Sequence, residues 1–192
     1  MIKTGTVLMM LALFLFLYNQ WDAKRAQDAA EKTALELDAQ IGEIFVLPDT
    51  DNGGEDGEMS ALEIDGYDYI GTLTISRYGL ELPVMSEWSY AGLKIAPGRY
   101  SGSVWTEDLV ICGHNYERHF GKLKYLETGD EIIFTDVNGN VFTYQVEEVI
   151  TLQPTDVEEM LSQESGEWDL TLFTCTVGGQ TRVTVRCSLT DG

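Results

Sequence analysis

Three residues of this chain have the side-chain types that acyl transfer uses. Cys175 ends the run LTLFTC, Arg182 opens the run RVTVRC, and His114 directly follows the apolar run DLVICG. A thiolate is a strong nucleophile, and an imidazole within reach can exchange protons with it. A guanidinium beside a developing oxyanion stabilises the tetrahedral state, and losing one such donor costs on the order of 100-fold in rate. The stretch LTLFTCTVGGQTRVTVRC (170–187) reads as two strands joined by a Gly-Gly turn at 177–180. That register sets Cys175 across from Arg182 and Cys187 near Leu170. Cys175 and Cys187 are then too far apart to bridge. With three cysteines in all, Cys112, Cys175 and Cys187, at least one free thiol is expected.

These residues need a scaffold, and the pattern from residue 67 onward is mostly β. YIGTLTI (69–75) and LELPVM (80–85) read as strands joined by SRYG, and the apolar run 108–113 suits a buried strand. Residues 129–152 read as a hairpin turning at 137–139, with Phe142, Tyr144 and Val146 alternating onto one face. PTDVEEMLSQE (154–164) reads as a short helix that Thr155 or Asp156 would cap. Short, closely spaced strands with few helices predict a closed or nearly closed β-barrel. No phosphate-binding glycine loop and no Cys-x-x-Cys pair is present, and no cofactor is expected.

Ahead of the barrel, VLMMLALFLFLY (7–18) is an uninterrupted apolar run of twelve residues. Counted from Ile2 to Trp21, the stretch approaches the roughly 20 residues that cross a bilayer. Residues 1–21 are therefore expected to be a transmembrane anchor. Lys3 precedes the span and Lys24 and Arg25 follow it, so charge does not fix its orientation. Ala30, Ala34, Leu37, Ile41 and Ile44 form one helical stripe, read as a stalk over 22–47. PDTDNGGEDGEMS lies in an acidic, glycine-rich linker, 48–66, which leaves 67–192 as the folded domain. The net charge is -20, from 12 basic and 32 acidic side chains, which argues against nucleic acid as a partner.

Other candidate residues have plainer readings. His119 reads as surface or packing beside Phe120, Leu123 and Leu126. Cys112 shares a strand face with His114 and reads as a small core residue. Cys187 reads as strand packing, and Trp88 and Tyr90 receive no role. Glu158, Glu159 and Glu164 could gather around a cation but read as a solvated helix face, so no metal is expected.

TLFTC followed by Arg182 resembles the Thr-Leu-x-Thr-Cys…Arg signature of sortases, and VICGHNY (110–116) resembles their catalytic-histidine segment. IGTLTI and LELPVM are similar to the opening strands of that family, and the motifs run in order through the folded domain. The resemblance implies a sortase-type eight-stranded β-barrel with short helices, and transpeptidation at a Gram-positive-type cell surface. It implies Cys175 as nucleophile, His114 as general acid and base, and Arg182 as holder of the substrate backbone or oxyanion. Thr174 would assist in substrate positioning or at the oxyanion. The reacting form would be a minor thiolate–imidazolium pair. The implied partners are secreted proteins bearing a Leu-Pro-x-Thr-Gly-type sorting signal, and an amine on a cell-wall precursor or a pilin lysine. The short 176–181 connection leans toward a class D- or E-like enzyme. Two rival readings stand beside this one. An inactive membrane-tethered β-barrel binding module would lack one of the three site residues, and here all are present. An L,D-transpeptidase would place His and Cys in one short motif, whereas here they are 61 positions apart (175 minus 114).

Overall fold

The computed structural model describes residues 2–44, 57–157, 159, 168–176 and 178–190, and within the first helix it leaves some side chains undescribed. One long helix, α1 (Ile2–Ile44), precedes nine strands. These are β1 (Leu62–Ile64), β2 (Tyr67–Ile75), β3 (Leu80–Met85), β4 (Gly98–Ser101), β5 (Leu109–Gly113), β6 (Glu131–Asp136), β7 (Val141–Leu152), β8 (Leu170–Cys175) and β9 (Arg182–Leu189). They form one sheet in the order β1-β2-β3-β4-β5-β8-β9-β7-β6, and a β2–β6 pairing closes it. The closed ring thus has eight strands, β2 to β9. β1 pairs with the start of β2, residues 67–69, while β6 pairs with residues 71–75 of the same strand.

Strand alternation sorts the side chains. Leu73, Leu109, Ile111, Phe134, Tyr144, Leu172 and Val185 fill the interior and are almost completely buried. β5 is buried at all five positions, as its unbroken apolar run requires. Its outward residues, Val110 and Cys112, belong to a second apolar cluster on the outer face, with Leu93, Leu152 and Phe173. The two parallel pairings, β3–β4 and β5–β8, need long connections, and those connections build the walls around that outer face. A 3-10 turn at Gly92–Lys94 lies in one of them and a 3-10 helix at Phe120–Tyr125 follows β5.

The N-terminal region expected as anchor and stalk forms one continuous helix, α1. Among the described residues, no helix is long and apolar enough to cross a membrane. The residues that follow the apolar run, Asn19, Gln20 and Asp22, are polar. The stretch expected as an anchor lies within the first half of α1, where Val7 through Leu17 are exposed on the surface of the chain. Two residues of the stripe read as a stalk pack inward. Ala34 and Leu37 are buried, and Leu37 lies among Ile64, Tyr69, Met85, Ala96 and Val137 on the outside of the barrel. Lys32 adds an ion pair to Asp65 at 3.0 Å. Ala30, Ile41 and Ile44 have side chains outside the described residues. Most of the expected linker, 48–56, and most of the expected helix at 154–164 also lie outside them, and β1 falls inside the span read as linker.

Candidate active site

The β8–β9 hairpin positions the first pair. Its register matches Leu170 with Cys187 and Cys175 with Arg182. Gly178 and Gly179 have φ of 89° and 73°, a region where a β-carbon is strained, so the tight turn needs both glycines. Thr176 closes the turn: its N–H donates to the Thr181 carbonyl at 2.9 Å, and the two hydroxyls lie 2.9 Å apart.

The parallel β5–β8 ladder brings in the histidine. Its register ends at Gly113 opposite Thr174. His114 comes directly after the end of β5, and Cys175 is the last residue of β8. Alternation sends Cys112, His114, Phe173, Cys175 and Arg182 to the outer face. Beyond His114 the chain turns back sharply. The Phe120 N–H donates to the His114 carbonyl at 3.1 Å, and the N–H groups of His119 and Gly121 donate to the Tyr116 carbonyl at 3.0 and 2.9 Å. The Phe120 ring lies over Gly113, where a β-carbon would come within 2.7 Å of it. Glycine before the histidine lets this ring seat the loop.

Thr174 points the other way. It is 3% exposed, and its hydroxyl donates to the Gly113 carbonyl at 2.8 Å. The hydroxyl therefore ties the residue before Cys175 to the residue before His114. Neighbours on a strand face opposite sides, so Thr174 and Cys175 cannot both face the outer groove. Arg182 stands opposite Cys175, but its Nη1 donates to the carbonyls of Gly179 at 3.1 Å and Thr181 at 3.2 Å.

Three further groups surround His114, none of them singled out from the sequence. The Tyr116 ring lies 5.1 Å from the imidazole, and its hydroxyl donates to Asp22 of α1 at 3.0 Å. Burial lowers the His114 pKa below its usual value, the Lys94 ammonium lowers it further, and Asp22 opposes both. The imidazole is thus mainly neutral near pH 7, and its imidazolium form is costly. Tyr116 follows His114 by two positions, which was a usable signal; the approach of Asp22 from 92 positions upstream (114 minus 22) had none. His119 is 1% exposed with its ring 5.6 Å from that of Tyr116, in keeping with packing. Burial pushes the Cys112 thiol up to about 12 and raises that of Cys187 too, so both are poor nucleophiles. All three cysteines are free.

Cys175 stands between two spaces. On the outer face, Leu93, Cys112, Leu152 and Phe173 form an apolar floor, extended by Tyr100 and Trp88 with ring centroids 5.3 and 5.7 Å apart in succession. At the end of the barrel, a pocket of about 300 Å³ opens beside the thiol. Among the described residues, no three His, Cys, Asp or Glu side chains gather to hold a metal ion. Of the acids weighed for a cation, Glu158 and Glu164 lie outside the described residues.

Solved structures share this fold. Sortase A from Corynebacterium diphtheriae is 25% identical with a TM-score of 0.59, over 66% of this chain and 62% of that one. This chain therefore spans less than two thirds of that relative's length. Sortase C1 from Streptococcus suis is 26% identical with a TM-score of 0.55, over 65% of this chain and 74% of that one. A Clostridium perfringens sortase D5 transpeptidase, at 20% identity and a TM-score of 0.62, matches 85% of this chain and 99% of its own, a likeness of fold. A search of curated proteins gives no match. The sequence model of the sortase domain matches residues 73–190, from β2 to the end of β9 and across His114, Cys175 and Arg182. On that match, over more than half of its length, the chain belongs to the sortase family.

Proposed function

We propose that this protein is a cysteine transpeptidase that cleaves a Leu-Pro-x-Thr-Gly-type sorting signal and passes the acyl group to an amine. The observation that carries the proposal is the register of β8: its Thr174 pairs with Gly113, the residue before His114, and its Cys175 pairs with Arg182. The Cys175 sulfur attacks the scissile carbonyl, and its proton passes through the His114 imidazole to the leaving nitrogen. The C–N bond breaks and a thioester remains. An incoming amine then forms a new C–N bond as the C–S bond breaks, and its proton returns through His114 to the sulfur. Arg182 stabilises the oxyanion in both steps once its guanidinium leaves the carbonyls of its own turn. The costly imidazolium of His114 fits a thiolate–imidazolium pair that is minor at rest.

The apolar floor of Leu93, Leu152 and Phe173 suits the leucine and proline of such a signal. Thr174 serves as a positioning residue through Gly113 rather than as an oxyanion donor. The acceptor is an amine on a cell-wall precursor or a pilin lysine, and the short turn after Cys175 favours a class D- or E-like enzyme. The exposed apolar stretch of α1 attaches the protein to the membrane, with the catalytic barrel outside the cell. The test is product analysis. Peptides varied through Leu-Pro-x-Thr-Gly are incubated with the protein, with and without triglycine. Amine-dependent ligation lost in Cys175→Ala, His114→Ala and Arg182→Ala supports the reading. Ligation that survives Cys175→Ala, or no turnover of any peptide by the folded protein, overturns it.

A further inference from the structure

Thr174 and Val183 face inward, whereas Cys175 and Arg182 face outward, so Cys175 sits on the rim between the outer groove and the barrel-end pocket. If the groove holds the acyl side of a sorting signal, the amine side of the scissile bond must lie across the thiol from it. The pocket of about 300 Å³ occupies that position, bounded by Asn115, Phe120, Lys124, Cys175, Thr176 and Val183. Among the described residues, Lys124 is the one charged residue of its lining. The Lys124 ammonium lies 4.8 Å from the centroid of the Tyr125 ring, and among the described residues no carboxylate pairs with it. Lys124 thus brings a positive charge to the lining of the nucleophile's pocket.

We propose that this pocket is the acceptor site, and that Lys124 selects an amine whose own carbon bears a carboxylate over a plain alkylamine such as a lysine side chain. The proposal rests on the acyl-transfer reading of Cys175. An arriving lysine brings a second positive charge to the Lys124 ammonium. An amino-acid-type amine brings a carboxylate that pairs with it. A cation nearby also favours the unprotonated, nucleophilic form of the amine. Asn115 adds a side-chain amide to the same lining.

The test uses the full chain, Lys124→Gln and, as a control, Lys122→Gln. Lys122 lies over the Tyr78 ring at 5.1 Å and does not line the pocket. The first readout needs no sorting signal: the rate of Cys175 alkylation by iodoacetate relative to iodoacetamide. Lys124→Gln should lower that ratio about twofold to fivefold, the scale of a solvent-screened charge pair, and Lys122→Gln should leave it alone. The second readout partitions the acyl-enzyme between glycine and glycinamide. The glycine share should fall by a similar factor in Lys124→Gln, with the rate of acylation unchanged. An unmoved ratio in either readout overturns the proposal, as does an equal loss for glycine and glycinamide. If no peptide acylates Cys175, the acyl-transfer reading fails instead, and the alkylation ratio still reports whether Lys124 selects charge at the thiol.

Discussion

Replacing Thr174 by valine removes one hydroxyl and little shape. That hydroxyl is buried and donates at 2.8 Å to the Gly113 carbonyl, across the ladder that carries His114 and Cys175 one residue further on. A net hydrogen bond contributes about 0.5–1.5 kcal/mol, and a buried acceptor stripped of its partner costs about 1–3 kcal/mol. The neighbouring β5–β8 ladder remains, so the expected loss is about 1–2 kcal/mol. For a chain of this size that is a fall in Tm of roughly 2–8 °C. The same change frees the two strand ends to shift relative to each other. A misplacement on the order of 1 Å between reacting groups costs up to about 100-fold, so kcat/KM should fall by tenfold or more. Thermal unfolding and peptide-transfer kinetics on Thr174→Val and Thr174→Ser check both numbers. Serine keeps the donor and should hold most of the stability and activity. A valine variant with wild-type Tm and wild-type transfer would falsify the reasoning that this hydroxyl aligns the pair.

The pH dependence has a fixed sign. Folding holds His114 below its usual value of 6.5, so its neutral form contributes stability above that pH, and the contribution is lost as pH falls through the lower folded value. In the acid limb of kcat/KM, Asp22→Asn should move the midpoint further down and Lys94→Gln should move it up. A shift in the same direction for both would contradict the assignment. Iodoacetamide should label Cys175 alone in the folded protein, because burial suppresses the thiolates of Cys112 and Cys187. Intact mass should therefore show one adduct, rising to three on unfolding. Gly113→Ala puts a β-carbon 2.7 Å from the Phe120 ring and should destabilise by about 1–3 kcal/mol, read by urea unfolding. Leu37→Ala should cost about 2–5 kcal/mol if α1 is part of the fold, whereas an independent stalk would leave barrel stability unchanged.

The parts of the site that rest on local pattern were legible in the sequence. Two glycines between alternating strands fix the β8–β9 register, and with it the pairing of Cys175 with Arg182. The apolar run before His114 marks β5 because a strand buried on both faces needs no alternation. The meeting of His114 and Cys175 rests on a parallel pairing between strands far apart in sequence, and no local period encodes such a pairing. The resemblance to sortases supplied it. The inward aim of Thr174 was available from strand alternation alone, since its neighbour Cys175 must face outward. The seat of α1 was hidden for a different reason. A stripe of small apolar residues on a helix fits a stalk, a second copy or a barrel wall equally well, and only the opposing surface of Ile64, Tyr69 and Met85 decides among them. Tyr116 stands two positions from His114, but Lys94 and Asp22 act on it from separate elements, and no spacing in the chain connects those two with it. β4, only Gly98–Ser101, is too short to show a period.

The central claim is that Cys175 carries the acyl group. Intact-mass spectrometry of the full chain, incubated with a Leu-Pro-x-Thr-Gly-type peptide and quenched in acid, tests it most directly. The account predicts a mass increase equal to the peptide's acyl portion, located on Cys175, absent in Cys175→Ala and discharged by added triglycine. An adduct on any other residue, or peptide cleavage by Cys175→Ala at the wild-type rate, would contradict it.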